Sequence, residues 1–135
     1  MKLIALLLSW TCLVFAAGKN SAVNGVWRAE MDGLPSFVMT ISDEGGYLTG
    51  AILFYLIRRD EGQPPHASPG IPEPLFNLRF DGKALDFRVS HSRAHGAPTA
   101  NDPPVSFRLK ITGPNEGLLV RDGKDSQAIH VSRDK

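Results

Sequence analysis

Cysteine is almost missing from the 135-residue chain: its single copy, Cys12, lies within the first 17 residues. From Gly18 onward disulfides, thiolate metal ligands and cysteine nucleophiles are therefore excluded, and stability has to come from packing. Long apolar runs are also scarce. The one candidate is Leu3 to Ala17, broken by Ser9 and Thr11. It is shorter than the roughly 20 residues that cross a bilayer as a helix. Nor is there an excess of one charge. The chain has 15 Lys+Arg and 14 Asp+Glu, and leaving out Lys2 makes them 14 against 14. A neutral domain lacks the basic field on which nonspecific nucleic-acid binding depends. Also absent are a sustained helical apolar period, a Gly-x-Ser-x-Gly nucleophile elbow, and a glycine loop that would cradle phosphate ahead of a helix.

The first 17 residues have the layout of a secretory signal. Lys2 supplies the positive start, an apolar core follows, and the small residues Ala16 and Ala17 precede polar Gly18-Lys19-Asn20-Ser21. Cleavage is expected after Ala16 or Ala17, leaving 18–135 as a single domain, periplasmic or extracellular, with no membrane span. Cys12 is a poor lipid acceptor. Trp10-Thr11 stand before it, and apolar Leu13-Val14-Phe15 after it, where a lipoprotein would begin its mature chain.

Turn formers punctuate the domain: 13 Gly and 10 Pro divide it into short apolar runs, an all-β pattern. Eight strands are expected: Gly25 to Met31, Phe37 to Ser42, Tyr47 to Arg58, Leu75 to Phe80, Ala84 to His91, Val105 to Thr112, Gly117 to Arg121 and Gln127 to Ser132. Strict alternation is clearest in the sixth, where Val105, Phe107, Leu109 and Ile111 share one face. In the fourth, Phe76, Leu78 and Phe80 are expected inward. The third strand is apolar on both faces from Ala51 to Ile57, so it should be central or covered from outside. Two longer connections stand apart. Arg59 to Glu73 holds Pro64-Pro65, Pro69 and Pro72 and is expected to be an extended loop without strand or helix; Ser92 to Pro104 is the other. Short turns elsewhere favour antiparallel up-and-down order. The expected fold is therefore all-β, a single eight-stranded antiparallel up-and-down barrel, with a two-sheet sandwich as the alternative.

Gly25-Val26-Trp27, opening the first strand, resembles the Gly-x-Trp signature of lipocalins and the wider calycin group. That resemblance implies a lipocalin-like barrel in which the tryptophan plugs one end and a basic residue of a late strand lies across its ring. Arg121 is the partner it suggests for Trp27, an interaction worth about 0.5–2 kcal/mol. Met39-Thr40-Ile41 and Leu48-Thr49-Gly50 add an avidin-like flavour. The interval after Trp27 is longer than in avidins and the polar residues for a biotin ring are out of place, so biotin binding does not carry over. The domain also resembles short exported proteins of soil bacteria with no assigned function, through Asp32-Gly33-Leu34-Pro35, Gly45-Gly46-x-Leu48-Thr49-Gly50 and the Pro-rich loop.

Chemistry-bearing residues do not converge in the sequence. His91 and His95 are four apart, but at a strand end and in a loop this spacing loses its helical meaning; on a strand it spans about 13 Å, too far for one metal. Ser90, Ser92 and Ser106 lie near His91 without an elbow, and Asp43-Glu44 and Asp60-Glu61 sit at turns, where solvated charge is the rule. Neither a metal nor a cofactor is expected, and a hydrolase is the weakest reading. The leading expectation is noncatalytic binding of a small apolar ligand at the open end of the barrel, bordered by the two long loops and contacted by Tyr55, Phe87, His91 and Phe107. The alternative is a protein-interaction module of the cell envelope, acting through the Pro-rich loop or an exposed edge of the Tyr47 to Arg58 strand.

Overall fold

A computed structural model describes residues 18–90, 103–123 and 127–134; the proposed signal segment, His91, His95 and most of the second long loop lie outside the described residues. The chain starts with a 3₁₀ turn, Lys19–Ala22, followed by β1 (Gly25–Met31), β2 (Leu34–Glu44), β3 (Tyr47–Arg58), β4 (His66–Pro69), β5 (Glu73–Phe80), β6 (Ala84–Val89), β7 (Val105–Gly113), β8 (Glu116–Arg121) and β9 (Ala128–Arg133). All neighbours are antiparallel. Eight strands close into a barrel in the order β1-β2-β3-β5-β6-β7-β8-β9, with β9 returning to β1. This is the expected architecture, compatible with a lipocalin-like fold.

The Pro-rich connection is a correction. It contains β4, which pairs with β3 through Tyr55↔Pro69, Leu56↔Ser68, Ile57↔Ala67 and Arg58↔His66. The prolines hide a strand because a sheet edge tolerates them. The Phe54 carbonyl accepts from the Gly70 amide at 2.8 Å. Backbone groups alternate sides along a strand, so the ladder bonds to β4 fall at Leu56 and Arg58, and Pro69 stands where no donor is needed.

β5 differs in phase. Leu75 is buried beside Val89, and Phe80 beside Leu85, although the two are an odd number of residues apart. A bulge between Phe76 and Arg79, with Asn77 at φ 54°, absorbs the extra residue. Leu78 and Phe80 face the core as expected, whereas Phe76 lies outside, half-buried, opposite Arg88.

The barrel interior is filled. Met39, Ile41, Ile52, Leu85, Leu109, Leu119 and Val131 are all 1% exposed or less. Trp27 closes one end; its indole N–H donates to the Val23 carbonyl at 2.8 Å, and both residues are fully buried. The cation over its ring is Arg133, with the guanidinium carbon 5.3 Å from the ring centroid, and not Arg121. β9 runs one residue beyond the expected Ser132, which brings Arg133 opposite Trp27 in register. Arg121 instead pairs with Phe107 at the far end of β8, about 16 Å from Glu116 by strand rise. The Arg133 guanidinium also donates to the carbonyls of Ser21 (2.8 Å), Asn24 (2.9 Å) and Pro114. Gly25 makes room for this. Its φ is +131°, and a Cβ there would stand 3.1 Å from Arg133 Cδ.

Two expectations follow. Expressed from Gly18, the chain has Trp27 as its only tryptophan. Arg133→Ala removes the cation–π contact and several charge-assisted bonds and should cost about 2–4 kcal/mol in urea unfolding followed by tryptophan fluorescence; an unchanged midpoint would show that the arginine does not hold that end. The second concerns acid. Backbone amides of Ala84 and Lys83 hold the Asp81 carboxyl below its ordinary 3.8. The Arg108 guanidinium, bonded to Asp86 at 2.7 and 2.8 Å, lowers Asp86 as well. A lowered carboxylate stabilises the fold above its unfolded value and loses that contribution as pH falls through the folded one. Stability should therefore drop below pH 3.8. The drop should be shallower in Asp86→Asn, by no more than about 1 kcal/mol for so exposed a pair, as measured by urea midpoints across that range.

Candidate functional site

Antiparallel order brings the β3–β5 and β6–β7 connections to the end opposite Trp27, where the apolar site was expected. Of its four residues, two meet. Phe87 and Phe107 stack with centroids 5.5 Å apart, Phe54 lies 6.4 Å from Phe107, and Phe37 meets Phe54 edge-on at 6.1 Å. Phe87 and Phe107 are 1% and 7% exposed, so their faces are spent on one another as core. Tyr55 does not join them. It neighbours inward-facing Phe54 and so points to the outer face of β3, opposite Pro69. His91 lies outside the described residues, and Arg121 stands at this same end opposite Phe107.

A larger groove lies elsewhere, at the seam between β3 and β5. Only two residue pairs join these strands, Ala51↔Pro74 and Ile52↔Glu73. Beyond them Tyr47–Gly50 and Leu75–Leu78 separate around a groove of about 960 Å³, lined by both segments and by Gly18, Lys19 and Asn20 beneath. The β5 bulge accounts for the divergence, since a bulge bends and twists its strand. Leu75 packs over Gly50, where no side chain would fit: a Cβ there would stand 2.9 Å from the Leu75 Cδ1 and 2.5 Å from the Thr40 carbonyl oxygen.

The divergence leaves backbone groups facing an opening. Phe54 directs its carbonyl to the β4 side, so alternation turns the N–H and C=O of Ile52, Gly50 and Leu48 to the same side. Ile52 meets Glu73 there. Gly50 and Leu48 have no strand partner across the seam among the described residues. On their other side the β2 ladder is continuous, from Phe37↔Phe54 to Glu44↔Tyr47, so the edge is held in extended form. Apolar surface frames it: Tyr47 is 73% exposed, and Phe76 and Leu78 are partly exposed. The lower end is pinned. Asp43 accepts from the Gly46 amide at 2.7 Å, and Asn20 donates its side-chain N–H to the Gly46 carbonyl at 3.2 Å. The site is therefore a rigid sheet edge beside aromatic walls. It offers main-chain donors and acceptors, with Lys19 and Asp43 among the residues at its lower end.

Among the described residues no three of His, Cys, Asp and Glu stand close enough for a metal. His66 lies on the β4 edge and His130 on the outer face of β9. Sequence reading missed the seam, though two signals bear on it. Arg59 to Glu73 is too long for a hairpin, so β3 and β5 need not pair along their whole length. Asn77 interrupts the alternation of β5 with a residue type that tolerates φ > 0. Set against protein-family models, curated proteins and solved structures, the chain has no match.

Amide hydrogen exchange checks the opening directly. Leu48 and Gly50 should exchange at least about 100-fold faster than Met39 and Ile41 on the neighbouring strand; equal protection would mean that the seam is sealed.

Proposed function

We propose that this protein is a noncatalytic binding module that holds an extended segment of a partner polypeptide in the β3–β5 seam. One observation carries the reading: at Leu48 and Gly50, β3 keeps a fixed edge with no strand partner among the described residues, beside a groove of about 960 Å³. Unpaired strand edges in a folded domain are a hazard unless something covers them. An added strand satisfies them with main-chain hydrogen bonds, while alternate side chains find pockets. Here Tyr47 and Phe76 are the walls such side chains would meet. The expected apolar-ligand site fares less well, because the rings assigned to it pack against one another. The N-terminal signal pattern supports an exported protein of the periplasm or extracellular space, and the resemblance of Asp32-Gly33-Leu34-Pro35, Gly45-Gly46-x-Leu48-Thr49-Gly50 and the Pro-rich loop to short exported bacterial proteins agrees with that.

The test is a peptide-display selection against the chain from Gly18, with a panel of fatty acids and small apolar metabolites in parallel. Selected peptides should slow exchange of the Leu48 and Gly50 amides. Tyr47→Ala with Phe76→Ala should weaken them by at least about tenfold. Peptides that bind without protecting those amides, or melting-temperature gains from the apolar panel alone, would overturn the reading.

A further inference from the structure

The neutral net charge conceals a segregated surface. On the outside of β5, β6 and β7, register sets Arg79 beside Asp86 and Asp86 beside Arg108, sets Arg88 beside Ser106, and leaves Lys110 two residues on from Arg108. That is four cations with one carboxylate among them. Asp86 is engaged by Arg108, while Arg79, Arg88 and Lys110 have no acidic partner among the described residues. The Arg88 Nε–H is buried and donates to no partner among the described residues. Strands 4.7–4.9 Å apart place these groups within about 10–14 Å of one another. A shallow depression of about 310 Å³ lies among Asp86, Ser106, Arg108, Lys110, Val120 and Asp122, so a second carboxylate borders the cations there. The opposite side differs. The outward residues of β1, β2 and β3 include Glu30 and Glu44, and Arg28 there is tied to Asp134 at 2.7 Å.

We infer that this face docks the protein on an anionic lipid bilayer. Charge complementarity is the first argument, since each Lys or Arg brought near anionic headgroups adds to attraction within a Debye length. The composition of the face is the second. Half-buried Phe76, Leu118 and Val120 share the outer surface with the cations, as Lys110↔Leu118 and Arg108↔Val120 show. Apolar side chains among cations suit the headgroup boundary, where both find partners. Shape is the third argument. The outside of a barrel is convex, which lets long cationic side chains reach a plane but does not wrap a polymer. A nucleic acid is also disfavoured by the neutral whole, which gives no long-range field. Phe76 borders both this face and the β3–β5 groove, but none of the four cations lines the groove, so the inference does not depend on the seam reading.

Co-sedimentation of the chain from Gly18 with phosphatidylglycerol–phosphatidylcholine vesicles tests it, against vesicles of phosphatidylcholine alone. Binding should need the anionic lipid and fall at least about tenfold between about 50 and about 300 mM salt. Arg88→Gln with Lys110→Gln should lose at least about tenfold, whereas Arg58→Gln with Arg59→Gln, the same change in charge, should stay within about twofold. Exposed Arg79→Gln, which tests the face without touching a half-buried residue, should lose about threefold. Equal binding to neutral vesicles, equal losses in the two double variants, or a single-stranded oligonucleotide bound at a salt concentration where vesicles are not would each overturn the inference.

Discussion

The contact of Arg133 with Trp27 is the constraint on which the other features depend. A closed barrel needs its last strand to return to its first, and here that return has only two residue pairs, Trp27↔Arg133 and Arg28↔Ser132. So short a ladder is weak by backbone bonding alone. Arg133 reinforces it by lying over the buried indole and by donating to carbonyls of the N-terminal turn and the β7–β8 turn. One side chain thus ties the first turn, the first strand, the last strand and a distant hairpin together. Gly25 is required for the same reason, because its missing side chain is where the arginine stem crosses. The Gly-x-Trp pattern therefore supplies two members of a three-residue device whose third, Arg133, lies near the other end of the chain.

Closure at β1–β9 lets the opposite seam stay open. A barrel with two weak seams would open as a sheet; with one clamped, the other can diverge without unfolding the interior. The interior adds its own restraint, since Trp27, Met39, Leu85, Leu109 and Val131 are fully buried and the ring cluster from Phe37 to Phe87 bridges β2, β3, β6 and β7. Packing of this kind tolerates little displacement. The β3 edge is consequently presented in fixed geometry, which lowers the ordering cost of any strand that pairs with it.

Much of the architecture was legible in the sequence. Val105, Phe107, Leu109 and Ile111 alternate so cleanly that their strand and its inward face follow from period alone, and the Gly and Asp turns mark most boundaries. What was not legible has physical causes. β4 was hidden because Pro69 is harmless at an edge whose N–H faces outward, and the composition of 64–72 registers only the prolines. The phase of β5 was lost because one residue, Asn77, bulges and reverses the faces before it. Arg133 sits in a charged tail that reads as solvated, and only register shows it opposite Trp27; Arg121 was the nearer guess for a late-strand cation but points to the other end. The ring residues Phe87 and Phe107 were recognised as inward, yet inward is equally true of a core and of a pocket. The seam is a tertiary feature, and no local pattern states that two strands stop pairing.

β3 and β5 part company after Ala51↔Pro74, leaving a groove of about 960 Å³ beside the β3 edge of an otherwise closed barrel. Scalar couplings measured through hydrogen bonds by solution NMR decide this pair by pair. A coupling is expected between Ile52 and Glu73, and none between Gly50 and Leu75 in the free protein. A coupling between Gly50 and Leu75 would mean that the barrel is zipped along its full length, and the seam could then hold no partner strand.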